Sequence, residues 1–129
     1  MDRGALERAL ADVADFSEPS VRLEQYPTPD WLAAHLLHAA AVRGDLDGTV
    51  LDLGAGTGML ALGAALTGRP ARVLGLELDA GALAVARAPV PAENASVALR
   101  GVRFERDGRA VVAAADNTSV TVARKESYD

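Results

Sequence analysis

Apolar positions along this chain recur in two rhythms, one helical and one extended. Leu6, Leu10 and Val13 fall at i, i+4 and i+7, which predicts an amphipathic helix over residues 4–16 with acids on its other face. Ser17 to Ser20 break that pattern. Pro27 and Pro29 flank Thr28 and impose an extended entry to the next element. Thr28 is then the expected N-cap, Pro29 the first helical residue and Asp30 a first-turn acid. The helix runs from Trp31 to about Val42 and is ended by Gly44. Thr49 to Leu53 is a short, mostly apolar run and reads as a buried strand of a parallel sheet. An Ala, Leu and Met run from Met59 to Thr67 favours helix, with Gly68 as its stop. Ala71 to Leu76 is a second strand, and Asp79 to Ala88 a helix capped by Asp79 with Pro89 and Pro91 beyond it. Helix, helix, strand, helix, strand, helix is the first half of a doubly wound α/β sheet.

Past residue 90 the pattern supports two readings. Val102 to Asp107 has the shape of a third strand ending in an acid. Asp107-Gly108, between two β-prone runs, equally signals a hairpin turn. Ser119 to Ala123 would extend that hairpin into a small meander. The expected organisation is one domain over 1–129: an N-terminal helix in 1–19, a ligand-binding half in 20–88 and a β-rich tail in 89–129.

Composition narrows the class. With 129 residues there is chain for one modest core, and aromatics at 4% leave that core to Ala, Val and Leu. A net charge of −5 lacks the strongly basic footprint of a nucleic-acid-binding chain. Arg100, Arg103, Arg106 and Arg109 are a local exception, readable as a phosphate-tracking run or as a solvated face. The absence of cysteine excludes disulfides and thiolate metal sites and fits a reducing compartment. No apolar run approaches the ~18 residues of a membrane span and no leader is evident, so a cytoplasmic address and no membrane partner are expected. His35 and His38 share a helix but lack further ligands, so no metal is expected.

The chemistry centres on Asp52-Leu53-Gly54-Ala55-Gly56-Thr57-Gly58-Met59. A strand, a glycine turn and a helix start hold a nucleotide-like ligand above a sheet. A dinucleotide fingerprint would place its third glycine where Met59 stands, which disfavours an NAD-type oxidoreductase. No Gly-Lys-Ser/Thr follows, which excludes a P-loop. Glu77, at the tip of the second strand, can accept hydrogen bonds from both hydroxyls of a ribose. Gln25 and Tyr26 supply an amide and a phenol beside a helix start, a place suited to a small carboxylate.

Asp52 with G-x-G-x-G and an acid closing the next strand resembles the S-adenosylmethionine site of Rossmann-like class I methyltransferases. Leu23-Glu24-Gln25-Tyr26-Pro27-Thr28-Pro29 ahead of it looks like the archaeal relatives of the small-subunit rRNA adenine-N6 methyltransferases. The similarity covers about residues 20–88 and implies an incomplete sheet of that fold, with S-adenosylmethionine as cofactor. It also implies RNA as substrate and admits a small activating protein subunit as partner. Carried over, Gln25 and Thr28 face the methionine end and Tyr26 walls the pocket. Gly54, Gly56, Thr57, Gly58 and Met59 present main chain, Glu77 holds the ribose, and Asp107 is the candidate for the adenine amine. The family's Asn/Asp-Pro-Pro-aromatic motif, which orients the accepting nitrogen, has no counterpart here, because neither Asn94 nor Asn117 precedes proline. A non-catalytic S-adenosylmethionine-binding module is therefore the alternative expectation.

Overall fold

The computed structural model describes residues 1–14, 28–91, 94, 96–107, 110–115 and 118–124. Their order is α1 (Arg3–Ala14), α2 (Asp30–Val42), β1 (Gly48–Leu53), α3 (Met59–Leu66), β2 (Pro70–Glu77) and α4 (Ala80–Arg87), followed by four strands. These are β3 (Val97–Gly101), β4 (Arg103–Asp107), β5 (Ala110–Ala115) and β6 (Thr118–Arg124). β1, β2 and β3 form a parallel sheet in that order, and β4, β5 and β6 form an antiparallel meander. Among the described residues no helix is long and apolar enough to cross a membrane.

The starts of α1, α2 and α4 follow from local chemistry. Asp2 Oδ1 accepts the Ala5 N–H at 2.7 Å and opens α1. At α2 the cap is Pro29, not Thr28: Pro29 has an extended ψ of 146°, and its carbonyl accepts the Ala33 N–H at 3.0 Å. Asp30 is the first helical residue, where a carboxylate suits the positive helix end. Asp79 caps α4 by accepting from Gly81 and Ala82 N–H groups, as its position predicts.

The period-two alternation of the strands sorts the parallel sheet into two faces. Val50, Val73 and Val97 are paired across the strands, as are Asp52, Gly75 and Leu99. The apolar members of these rows join Leu6, Leu10, Leu37, Met59, Leu62, Leu83 and Ala86 in one core that all four helices share. Gly63 allows the closest approach within it, since a Cβ there would run into Leu37 and Leu10. The opposite face carries Leu51, Leu53, Leu74 and Leu76, with a second, small cluster around Leu76 and Val102.

One expectation is corrected here and one open choice is decided. β1 is parallel to β2 as expected but is not buried: among the described strands it lies at one end of the sheet, with Leu51 44% and Leu53 45% exposed. The third parallel strand is Val97–Gly101, not Val102–Asp107. The latter stretch runs antiparallel to β5, with Asp107 opposite Ala110, so the hairpin reading of Asp107-Gly108 is the one that fits.

Candidate functional site

The site lies where β1 and β2 end. Gly54 and Ala55 both donate their N–H groups to the Leu76 carbonyl, at 2.8 and 2.9 Å, which folds the turn after β1 back onto the tip of β2. The turn needs left-handed backbone: φ is 76° at Gly54, 60° at Gly56 and 92° at Gly58. A Cβ at Gly54 would meet nothing, and one at Gly56 would only reach Glu77 Oε1 at 4.0 Å, so both positions are open to a ligand. Gly58 differs. It is buried at the start of α3, where a Cβ would press on Ala86 and Leu62 at 3.0 Å. The missing side chain lets α3 pack closely against α4.

A hollow of about 110 Å³ lies above this turn, walled by Thr28, Asp52 and the residues of the turn with Met59 and Leu60. Thr28 is free to line it because Pro29 has taken over the cap. Asp52 is half-buried, and its Oδ2 is buried with no hydrogen-bond partner among the described residues. Burial pushes its carboxyl above the usual aspartate range; the Ala61 backbone N–H pulls the other way, and the charge on Glu77 adds to the rise. An unpartnered, partly desolvated carboxylate oxygen facing a small hollow is built to accept from a cation or a strong donor.

Glu77 sits on the other side of the turn. Its Oε1 accepts the Gly56 N–H at 2.7 Å and its Oε2 the Asp79 N–H at 2.8 Å. It borders a second hollow of about 310 Å³, whose other walls include Leu78, Leu83, Gly101, Val102 and Ala114. Apolar walls with a carboxylate at one end suit a flat ring carrying a diol. Asp107 ends β4 opposite Ala110 on β5, and its side chain lies outside what the structure describes. A third hollow, of about 500 Å³, lies outside β3 between Arg87, Val90 and Asn94. Arg100 and Arg103 are exposed, and each is already engaged in a polar or electrostatic contact. Arg109, Gln25 and Tyr26 lie outside the described residues. His35 Nδ1 accepts from Arg3 Nη1 at 3.3 Å on the surface, and no group of three metal-ligating side chains occurs among the described residues.

The model of the methyltransferase small domain matches residues 29–120. The chain belongs to that family. The rRNA N(6)-adenosine-methyltransferase Mettl5 of Drosophila melanogaster is 41% identical over 80 residues, 60% of this chain and 37% of that protein. The METTL5 protein of Danio rerio is 38% identical over 87 residues, 66% of this chain and 42% of that one. A crystal structure of a candidate RNA methyltransferase from Pyrococcus horikoshii superimposes with a TM-score of 0.67 at 37% identity, covering 75% of this chain and 48% of that one. A Thermoplasma acidophilum structure follows at 0.61 and 25% identity, covering 80% and 52%. The chain thus spans about half or less of each of these relatives.

Within this methyltransferase small domain, the structure brings Thr28, Gly54, Gly56, Thr57 and Met59 to one hollow and Glu77 to its neighbour. Asp52 is the site residue that the sequence reading does not single out as a contact. The available signal is an acid interrupting an apolar strand, Leu51-Asp52-Leu53, on the row that faces the helices.

Proposed function

We propose that this domain binds S-adenosylmethionine across the two hollows, as the cofactor-binding half of a methyltransferase acting on adenine N6 in structured RNA. The orphaned Oδ2 of Asp52 carries the reading: a buried carboxylate oxygen without a donor is costly unless a cation completes it. The ammonium group of a bound amino acid supplies that cation, with Thr28 and the turn's main chain around it. Glu77 takes the ribose hydroxyls through the lone pairs left over from Gly56 and Asp79, and Leu83, Val102 and Ala114 flank the ring. Bound there, the cofactor supplies a methyl group activated by a sulfonium centre. The protein's part is to fix its position and exclude water. The resemblance to rRNA adenine-N6 methyltransferases and the names of the fly and zebrafish relatives support the RNA substrate.

The alternative reading is a binding module without turnover, in which S-adenosylmethionine is held but no methyl group is passed on. A tritiated-methyl transfer assay on total RNA separates the two. Incorporation into adenine supports the transferase reading. Thermal stabilisation by S-adenosylmethionine with no incorporation supports the binding module, and neither effect rejects both.

A further inference from the structure

We infer that Glu77 is a positioning residue that couples the two hollows, so that filling one tightens binding in the other. The inference rests on the S-adenosylmethionine reading. The tip of β2 holds the glycine turn at three main-chain N–H groups. Gly54 and Ala55 are fixed to the Leu76 carbonyl, a backbone acceptor that stays put as long as the sheet does. Gly56 is fixed differently: its N–H goes to the side chain of Glu77, at 2.7 Å. Gly56 lines the smaller hollow, while the rest of Glu77 borders the larger one. One carboxylate therefore touches both.

Each carboxylate oxygen can accept two hydrogen bonds, and Gly56 and Asp79 use one on each. A diol donating to the remaining lone pairs removes rotamer freedom from Glu77 and with it the play in the Gly56 N–H. The turn is then already ordered when an amino acid enters the smaller hollow. Ordering that one ligand supplies need not be supplied by the next, which gives positive coupling without a change of fold. Coupling of this kind is reciprocal: methionine must tighten adenosine by the same factor.

The test uses the two halves of the ligand as probes. ¹⁵N-labelled protein is titrated with adenosine and with L-methionine, each alone and each in the presence of the other at saturation. In the wild type each fragment is expected to strengthen the other about fivefold or more, the low end of measured coupling. Glu77→Ala abolishes the coupling and also weakens L-methionine given alone, an effect that a residue serving only as a ribose contact would not produce. Glu77→Gln keeps one acceptor oxygen for Gly56 and restores part of the methionine affinity. Fragments that both bind the wild type with additive free energies overturn the inference and leave the cofactor reading standing. If neither fragment binds the wild type at tens of millimolar, both fall. The decisive comparison is made on the wild type, so it does not depend on how well a variant folds.

Discussion

The two faces of the parallel sheet are built from the same alternation and meet different fates. On one, Val50, Val73, Val97 and Leu99 lie under four helices, and the row ends in Asp52 and Glu77 at the site. On the other, Leu51 and Leu53 stand nearly half exposed, and among the described residues no helix or strand covers them. The outer edges differ in the same sense. At β3 the Leu99 carbonyl is capped by Arg87, which donates from Nε at 2.9 Å and Nη2 at 2.7 Å. At β1 no described strand pairs with the edge, and the strand carries no lysine, arginine or proline to guard it. An apolar row is a core only where something packs on it, and the site has been placed on the row that is packed.

The sharpest way to break this contrast is to truncate one leucine from each side. Leu10→Ala, on the covered side and fully buried, should cost about 2–5 kcal/mol in urea unfolding, the range for large-to-small core changes. Leu51→Ala should change stability by no more than about 0.5 kcal/mol; similar losses for the two would erase the distinction between the faces. At the end of the covered row, Glu77→Ala should weaken S-adenosylmethionine at least about tenfold by calorimetry, equivalent to ~1.4 kcal/mol. Equal affinity for the two proteins would remove Glu77 from the site.

Asp52→Asn should separate stability from binding. The folded protein holds a proton on Asp52 more tightly than the unfolded chain, whose carboxyl has the ordinary value of 3.8. The wild type therefore loses stability as pH rises from that value through the raised one, and the asparagine variant does not. Above that interval, the variant should melt higher than the wild type. It should also bind the cofactor more weakly, and wild-type affinity should improve as Asp52 ionises across the same interval. A variant that melts lower and binds equally would contradict the role given to the orphaned oxygen. Smallest in energy, Leu53→Lys should change stability by under about 0.5 kcal/mol and so leave the melting temperature within a few degrees. It should nonetheless reduce self-association in light scattering, by placing a charge on an unguarded edge strand.

Much of the covered row could be read in advance. Leu6, Leu10 and Val13 keep helical spacing and are all buried. The turn after β1 and the acid ending β2 fall where glycine backbone freedom and strand length put them. The bare face could not be read, because Thr-Val-Leu-Asp-Leu is equally apolar whether or not a second layer lies on it. The third parallel strand was hidden by competition. Val97 to Gly101 is short and adjoins the more β-prone Val102 to Asp107, and which of them pairs with β2 is decided by the tertiary register from Val73 to Glu77. Thr28 misled for a related reason: its residue type fits a cap, but Pro29 supplies the helix's first acceptor and the threonine goes to the hollow.

The most direct test of the account follows backbone amide shifts as S-adenosylhomocysteine is titrated into ¹⁵N-labelled protein. Perturbations gathered at Thr28, Asp52, Gly54 to Met59 and Glu77, and extending to Val102 and Ala114, are the predicted result. A silent titration at millimolar ligand, or shifts confined to the hollow beside Arg87 and Asn94, would contradict it.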